Sequence, residues 1–106
     1  IIAVEPAESP LLSQGKASSH GIQGIGANFI PDNLDKSVID EIVTVKTVDA
    51  IETAKEAAKK EGVLCGISSG ANIFAAIQIA NQNKSKTVVT VCTDLAERYI
   101  STALFM

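Results

Sequence analysis

The chain has 106 residues, a net charge of −3 and a hydrophobic fraction of 46%, with three Phe, one Tyr and no Trp. This is the composition of an ordinary soluble globular protein; a disordered or fibrous chain is excluded. The nine basic residues are scattered, which leaves no electrostatic footprint for nucleic acid, and no run approaches the roughly 18 apolar residues of a membrane span.

Ile1 to Val4 is a short apolar run of the kind a parallel strand covered on both faces shows, and Pro6 ends it. The chain opens in this strand with no lead-in, so it is expected to be part of something longer. From Ala7 to Pro31, Ser, Gly and Asn separate isolated apolar residues, which predicts a long loop; loops of that length serve a site or fold on themselves. Ile42 to Val45 predicts a second strand. A helix follows, capped by Thr47 or Asp49, with Ile51, Ala54, Ala57 and Ala58 on one face, a Glu56–Lys60 pair and Gly62 as its stop.

Val63 to Ile67 predicts a third strand, Ser68-Ser69-Gly70 a turn, and Ala71 to Asn81 a helix with Ile73, Phe74, Ile77 and Ala80 on its apolar face. Val88 to Cys92 predicts a fourth strand and Leu95 to Phe105 a last helix. Cys65 and Cys92 both fall in apolar runs and are expected to be packed, reduced core thiols, which suits a cytoplasmic protein. The alternation of strand and helix predicts an α/β fold with an open parallel sheet and helices on both faces.

Several residues could carry chemistry. Gly66-Ile67-Ser68-Ser69-Gly70 matches the nucleophile elbow G-x-S-x-G, but a hydrolase needs an acid and a His after the Ser, and the single His, His20, precedes it. Two readings remain: hydroxyls and amides at a helix start that donate to a ligand, or an N-cap made by Ser68 or Ser69. Gln23-Gly24-Ile25-Gly26-Ala27 lacks the third glycine of a dinucleotide fingerprint; it is either a tight surface turn or backbone shaped to approach a ligand. His20 has no cluster of metal-ligand spacing around it and reads as structural. Thr93-Asp94 stands at the carboxyl end of the last predicted strand, the side on which open parallel sheets bind ligands. Glu97 and Arg98 read as an ion pair or a solvated face.

Taken together and in order, Val4-Glu5-Pro6, Ile22 to Ala27, Phe29-Ile30-Pro31, Gly66 to Ala71 and Glu97 to Thr102 resemble the cysteine synthase (O-acetylserine sulfhydrylase) family over essentially the whole chain. The resemblance implies the carboxyl-terminal part of a tryptophan synthase β-like fold: residues 1–106 as the carboxyl-terminal portion of the large pyridoxal 5'-phosphate domain, with the amino-terminal domain outside this chain. It implies Ser68 as the partner of the pyridine nitrogen, Thr93 and Asp94 beside the ring, and Gln23 and Gly24 facing the substrate. It places no catalytic residue here, since the family's Schiff-base lysine, substrate-carboxylate loop and phosphate loop precede these motifs. The implied reaction replaces the acetate of O-acetylserine with sulfide through an aminoacrylate, giving L-cysteine; the chain alone is expected to be inactive. Partners implied are a second copy and serine acetyltransferase. A cystathionine β-synthase, which uses serine and homocysteine, and a non-catalytic binding module of the same fold are the alternatives. The sequence departs from the family at Ala17-Ser18-Ser19, Asn28 and Ala96, which touches loop geometry.

Overall fold

The computed structural model describes residues 1–105. Two parallel strands, β1 (Ile2–Pro6) and β2 (Glu41–Val45), pair from Ile2 with Glu41 to Pro6 with Val45. The segment between them carries a one-turn helix, α1 (Leu11–Gln14), and a 3₁₀ turn at Lys36–Val38. Buried Glu5 holds α1 in place: its carboxylate accepts from the amides of Leu12 (2.8 Å) and Ser13 (3.0 Å) and from the Ser13 hydroxyl (2.6 Å).

The helix α2 (Thr47–Glu61) follows β2 directly. Its sequence is mainly Ala, Glu and Lys, strong helix formers, and Glu56 and Lys60 approach to 3.3 Å one turn apart. Gly62 ends it in the left-handed region at φ 69°. The expected Thr47 or Asp49 cap is not made: Lys46 occupies the cap position without a side-chain bond, and the Thr47 amide donates instead to Glu8, 39 residues earlier, at 2.8 Å. Burial pushes the Glu8 carboxyl up, but hydrogen bonds from Thr47 outweigh it and hold the group below its usual value.

The second long helix, α3 (Ile67–Gln82), packs on α2 through small side chains. Gly70 lies against the Ala50 carbonyl, and a Cβ there would come within 2.9 Å of Ala54 Cβ. Ala50, Ala54, Ala71 and Ala75 are buried along this seam, with Ile22 and Val45 completing the core toward the sheet.

Three expected elements differ. Val63 to Ile67 is not a strand: one antiparallel bridge joins Cys65 to Leu95, and α3 begins at Ile67, four residues before the expected start. Val88 to Cys92 also belongs to no strand, because among the described residues no neighbouring backbone pairs with it; Val89 is 85% and Val91 62% exposed. The described sheet therefore has two strands. Cys65 is buried as expected, and burial first, then nearby Cys92 and Asp94, push its thiol up, whereas Cys92 is exposed, contrary to expectation. The last helix is reduced to a 3₁₀ turn, Ala96–Tyr99, after which the Thr102 hydroxyl donates to the Tyr99 carbonyl at 2.6 Å and competes with helical continuation. Among the described residues, no helix is long and apolar enough to cross a membrane.

Candidate functional site

The first turn of α3 brings together residues distant in sequence. With Gly66 at the cap position, Ile67, Ser68 and Ser69 are the first three helical residues, and their amides have no carbonyl earlier in the helix to bond. Neither serine caps the helix, so the N-cap reading fails: both lie inside the turn, buried, and their hydroxyls reach across to the segment before Leu95.

Ser68 Oγ and Thr93 Oγ1 are hydrogen-bonded at 2.9 Å. Ser69 Oγ accepts the Thr93 amide at 2.9 Å and lies 3.3 Å from Asp94 Oδ1, to which it donates. Asp94 Oδ2 in turn accepts the Tyr99 hydroxyl. Burial first, and then this bond to Asp94, push the Tyr99 phenol up to about 12. Asn72 holds the preceding residues through a 3.0 Å bond from Nδ2 to the Val91 carbonyl.

Gly24 faces the serine pair from the loop. Its φ is 104°, and a Cβ built on it would stand 3.3 Å from Ser68 Oγ. Gln23 lies beside it, exposed. The loop is shaped by His20, which does the structural work expected of it: Nδ1 accepts the Ile22 amide at 3.1 Å and Nε2 meets the Gly26 carbonyl at 2.7 Å, the pattern of an imidazole with its proton on Nε2. Thus Gly24, Ser68 and Thr93 converge, Asp94 stands one layer behind, and Gln23 sits at the open side.

Sequence reasoning missed Ser69, Gly66 and Tyr99. A Cβ at Gly66 would overlap both the Asp94 carboxylate and the Tyr99 ring. The signal was in the motif itself: a glycine immediately before a helix leaves room for another segment to lie against its first turn. Glu97 and Arg98 are both exposed, which favours the solvated face. Among the described residues, no group of three or more His, Cys, Asp or Glu side chains could hold a metal ion.

What this arrangement offers is a set of neutral donors, two hydroxyls and the free amides of a helix start, on one side of a glycine that leaves the approach open. Such a set fits a polar aromatic ring, and residues 1–94 match the family model described as pyridoxal-phosphate dependent enzyme. The chain belongs to that family. It is 60% identical over 105 residues to cysteine synthase B of Campylobacter jejuni, covering 99% of this chain and 35% of that protein. Its structure superposes on the crystal structure of cysteine synthase from Entamoeba histolytica with a TM-score of 0.96 at 48% identity, over 99% of this chain and 32% of that one. It also superposes on an O-acetylserine dependent cystathionine β-synthase from Helicobacter pylori with a TM-score of 0.86 at 38% identity, over 99% of this chain and 34% of that one. The chain spans about a third of the length of each of these proteins.

Proposed function

We propose that this chain is the carboxyl-terminal portion of the large cofactor-binding domain of a cysteine synthase, which makes L-cysteine from O-acetylserine and sulfide. The observation that carries the reading is the 2.9 Å hydrogen bond between Ser68, buried in the first turn of α3 and facing Gly24, and Thr93, an exposed residue lying against that turn. The residues fit the pyridine end of pyridoxal 5'-phosphate. Ser68 would face the ring nitrogen, Thr93 would hold Ser68, Asp94 would stand behind them, bonded to Ser69, and Gly24 and Gln23 would border the substrate.

When bound, the cofactor supplies an electron sink for loss of the substrate's α-proton and then of acetate. Ser68 is a neutral partner for it: a hydroxyl donates to an unprotonated ring nitrogen, whereas a carboxylate favours a protonated one. Gly24 keeps the approach to Ser68 free of a side chain. The Schiff-base lysine, the phosphate loop and the amino-terminal domain are supplied by sequence outside these 106 residues, and the whole protein works as a homodimer in the cytoplasm, with its cleft open to the tail of serine acetyltransferase. The family match and the two cysteine synthase relatives support the reading.

A second reading keeps the same donors and changes the acceptor. The likeness to the Helicobacter pylori enzyme favours an activity in which a larger thiol, homocysteine, replaces sulfide. One experiment separates them. The complete protein, loaded with pyridoxal phosphate and given O-acetylserine, is offered sulfide and homocysteine in turn; faster acetate release coupled to cysteine supports the first reading. Coupling only to homocysteine supports the second, and no acetate release with either rejects both. Ser68→Ala and Ser68→Asp should both retain cofactor yet slow acetate release unequally.

A further inference from the structure

The hydrogen bonds around Ser68 continue to a residue that does not touch the site. Tyr99 is 4% exposed and donates its hydroxyl proton to Asp94 Oδ2. The other carboxylate oxygen, Oδ1, faces Ser69 Oγ at 3.3 Å; Ser69 Oγ accepts the Thr93 amide at 2.9 Å; and Thr93 Oγ1 meets Ser68 Oγ at 2.9 Å.

The direction of these bonds follows from counting protons. A carboxylate only accepts, so both hydroxyls against Asp94, those of Tyr99 and Ser69, give it their single protons. The other acceptors within reach of Ser69, the Asp94 carbonyl at 3.4 Å and Thr93 Oγ1 at 3.5 Å, are then left without that proton. Thr93 has Ser68 as its remaining hydroxyl partner, and when Thr93 donates, the Ser68 proton is free to point out of the turn. Gly66 makes the arrangement possible: it has no Cβ to collide with the Asp94 carboxylate and the Tyr99 ring, and its amide donates to the Asp94 carbonyl at 3.1 Å.

We infer that Tyr99 is a positioning residue for Ser68, acting through Asp94, Ser69 and Thr93 so that Ser68 presents a hydrogen-bond donor to the pyridine nitrogen. The inference rests on the reading of Ser68 as that nitrogen's partner. A tyrosine kept only for packing would be replaced by Phe without consequence at Ser68; a positioning tyrosine would not.

The test uses the complete holoenzyme carrying pyridoxal phosphate enriched with ¹⁵N in the ring, whose nitrogen resonance reports the hydrogen bond directly. Tyr99→Phe should shift the resonance in the same direction as Ser68→Ala, by less, and should weaken cofactor binding on the order of fivefold, the effect of one lost neutral hydrogen bond. Asp94→Asn, whose amide can donate to Ser69 and so reverse the chain, should shift it as well, and it carries the test if Tyr99→Phe does not fold. Wild-type resonances in both Tyr99→Phe and Asp94→Asn, with a shifted one in Ser68→Ala, overturn the inference and leave the reading of Ser68 intact. An unshifted resonance in Ser68→Ala overturns that reading and the inference with it.

Discussion

Gly24 and Ser68, 44 positions apart, meet so closely that a single methyl group on Gly24 would stand 3.3 Å from the Ser68 oxygen. At φ 104° the backbone of Gly24 is also in a region that side-chain-bearing residues rarely adopt. Gly24→Ala should therefore cost about 1–3 kcal/mol of stability from backbone strain. Urea denaturation of the complete protein measures that loss, and cofactor and substrate titrations should show a larger defect for substrate. A variant as stable and as active as the parent would mean that the loop moves freely away from Ser68.

Tyr99 is the chain's one tyrosine, and there is no tryptophan, so its ionisation can be followed by ultraviolet absorbance without interference. In the folded chain the phenol is held at about 12, above its ordinary value of 10.0, by burial and then by Asp94. A raised value in the folded state means that this contribution to stability is fully present below the unfolded value and is lost as pH rises through the folded one. Unfolding free energy should accordingly fall between pH 10 and about 12, and Tyr99→Phe should flatten that fall. Titration of the folded protein with a midpoint at 10 would contradict the Tyr99–Asp94 bond.

If Ser68 is the one ring contact this segment offers and the Schiff-base lysine lies outside it, as proposed above, the 106 residues alone should bind pyridoxal phosphate weakly and form no covalent adduct with it. Absorbance spectra and borohydride trapping test this. A reduced adduct mapped to one lysine of this chain would refute the expectation.

The same segment should self-associate. Val89 and Val91 are 85% and 62% exposed, and Leu64 and Ile77 are 64% and 53% exposed, so apolar surface that a neighbouring layer would cover stands in water. Each such side chain left exposed forgoes about 1.5–3 kcal/mol, against a typical stability of about 5–15 kcal/mol. Light scattering during size-exclusion chromatography should show species larger than the monomer. A monomer that unfolds sharply in urea would identify the segment as a self-sufficient domain.

Much of the local structure was legible. The Ala-rich pattern over residues 47–61, its Gly62 stop and the Glu56–Lys60 pair all appear, because each depends on residues within one or two turns. The Ile42–Val45 strand was found as well, because its partner β1 lies within the same segment and supplies the backbone it pairs with. What escaped is what distant chain decides. Val63 to Ile67 and Val88 to Cys92 have strand composition, but a strand needs a neighbour's backbone, and neither finds one among the described residues. Ser69 looked like a cap because capping is local; its hydroxyl is in fact spent on Thr93 and Asp94, 24 and 25 positions away. Glu8 capping α2 from 39 positions away is the same lesson in reverse.

The pairing of β1 with β2 joins residues 39 apart, such as Ile2 with Glu41, across a connection whose regular structure is the one-turn helix α1 and a 3₁₀ turn. Closing so long a loop costs chain entropy before its hydrogen bonds are gained, whereas α2 and α3 are neighbours in sequence and meet after a short connection. The two helices should thus come together first as the polypeptide folds, with the strands docking onto them. The turn that holds Ser68 would then exist before the loop that carries Gly24 arrives, and the close approach between them would be among the last features of the molecule to take shape.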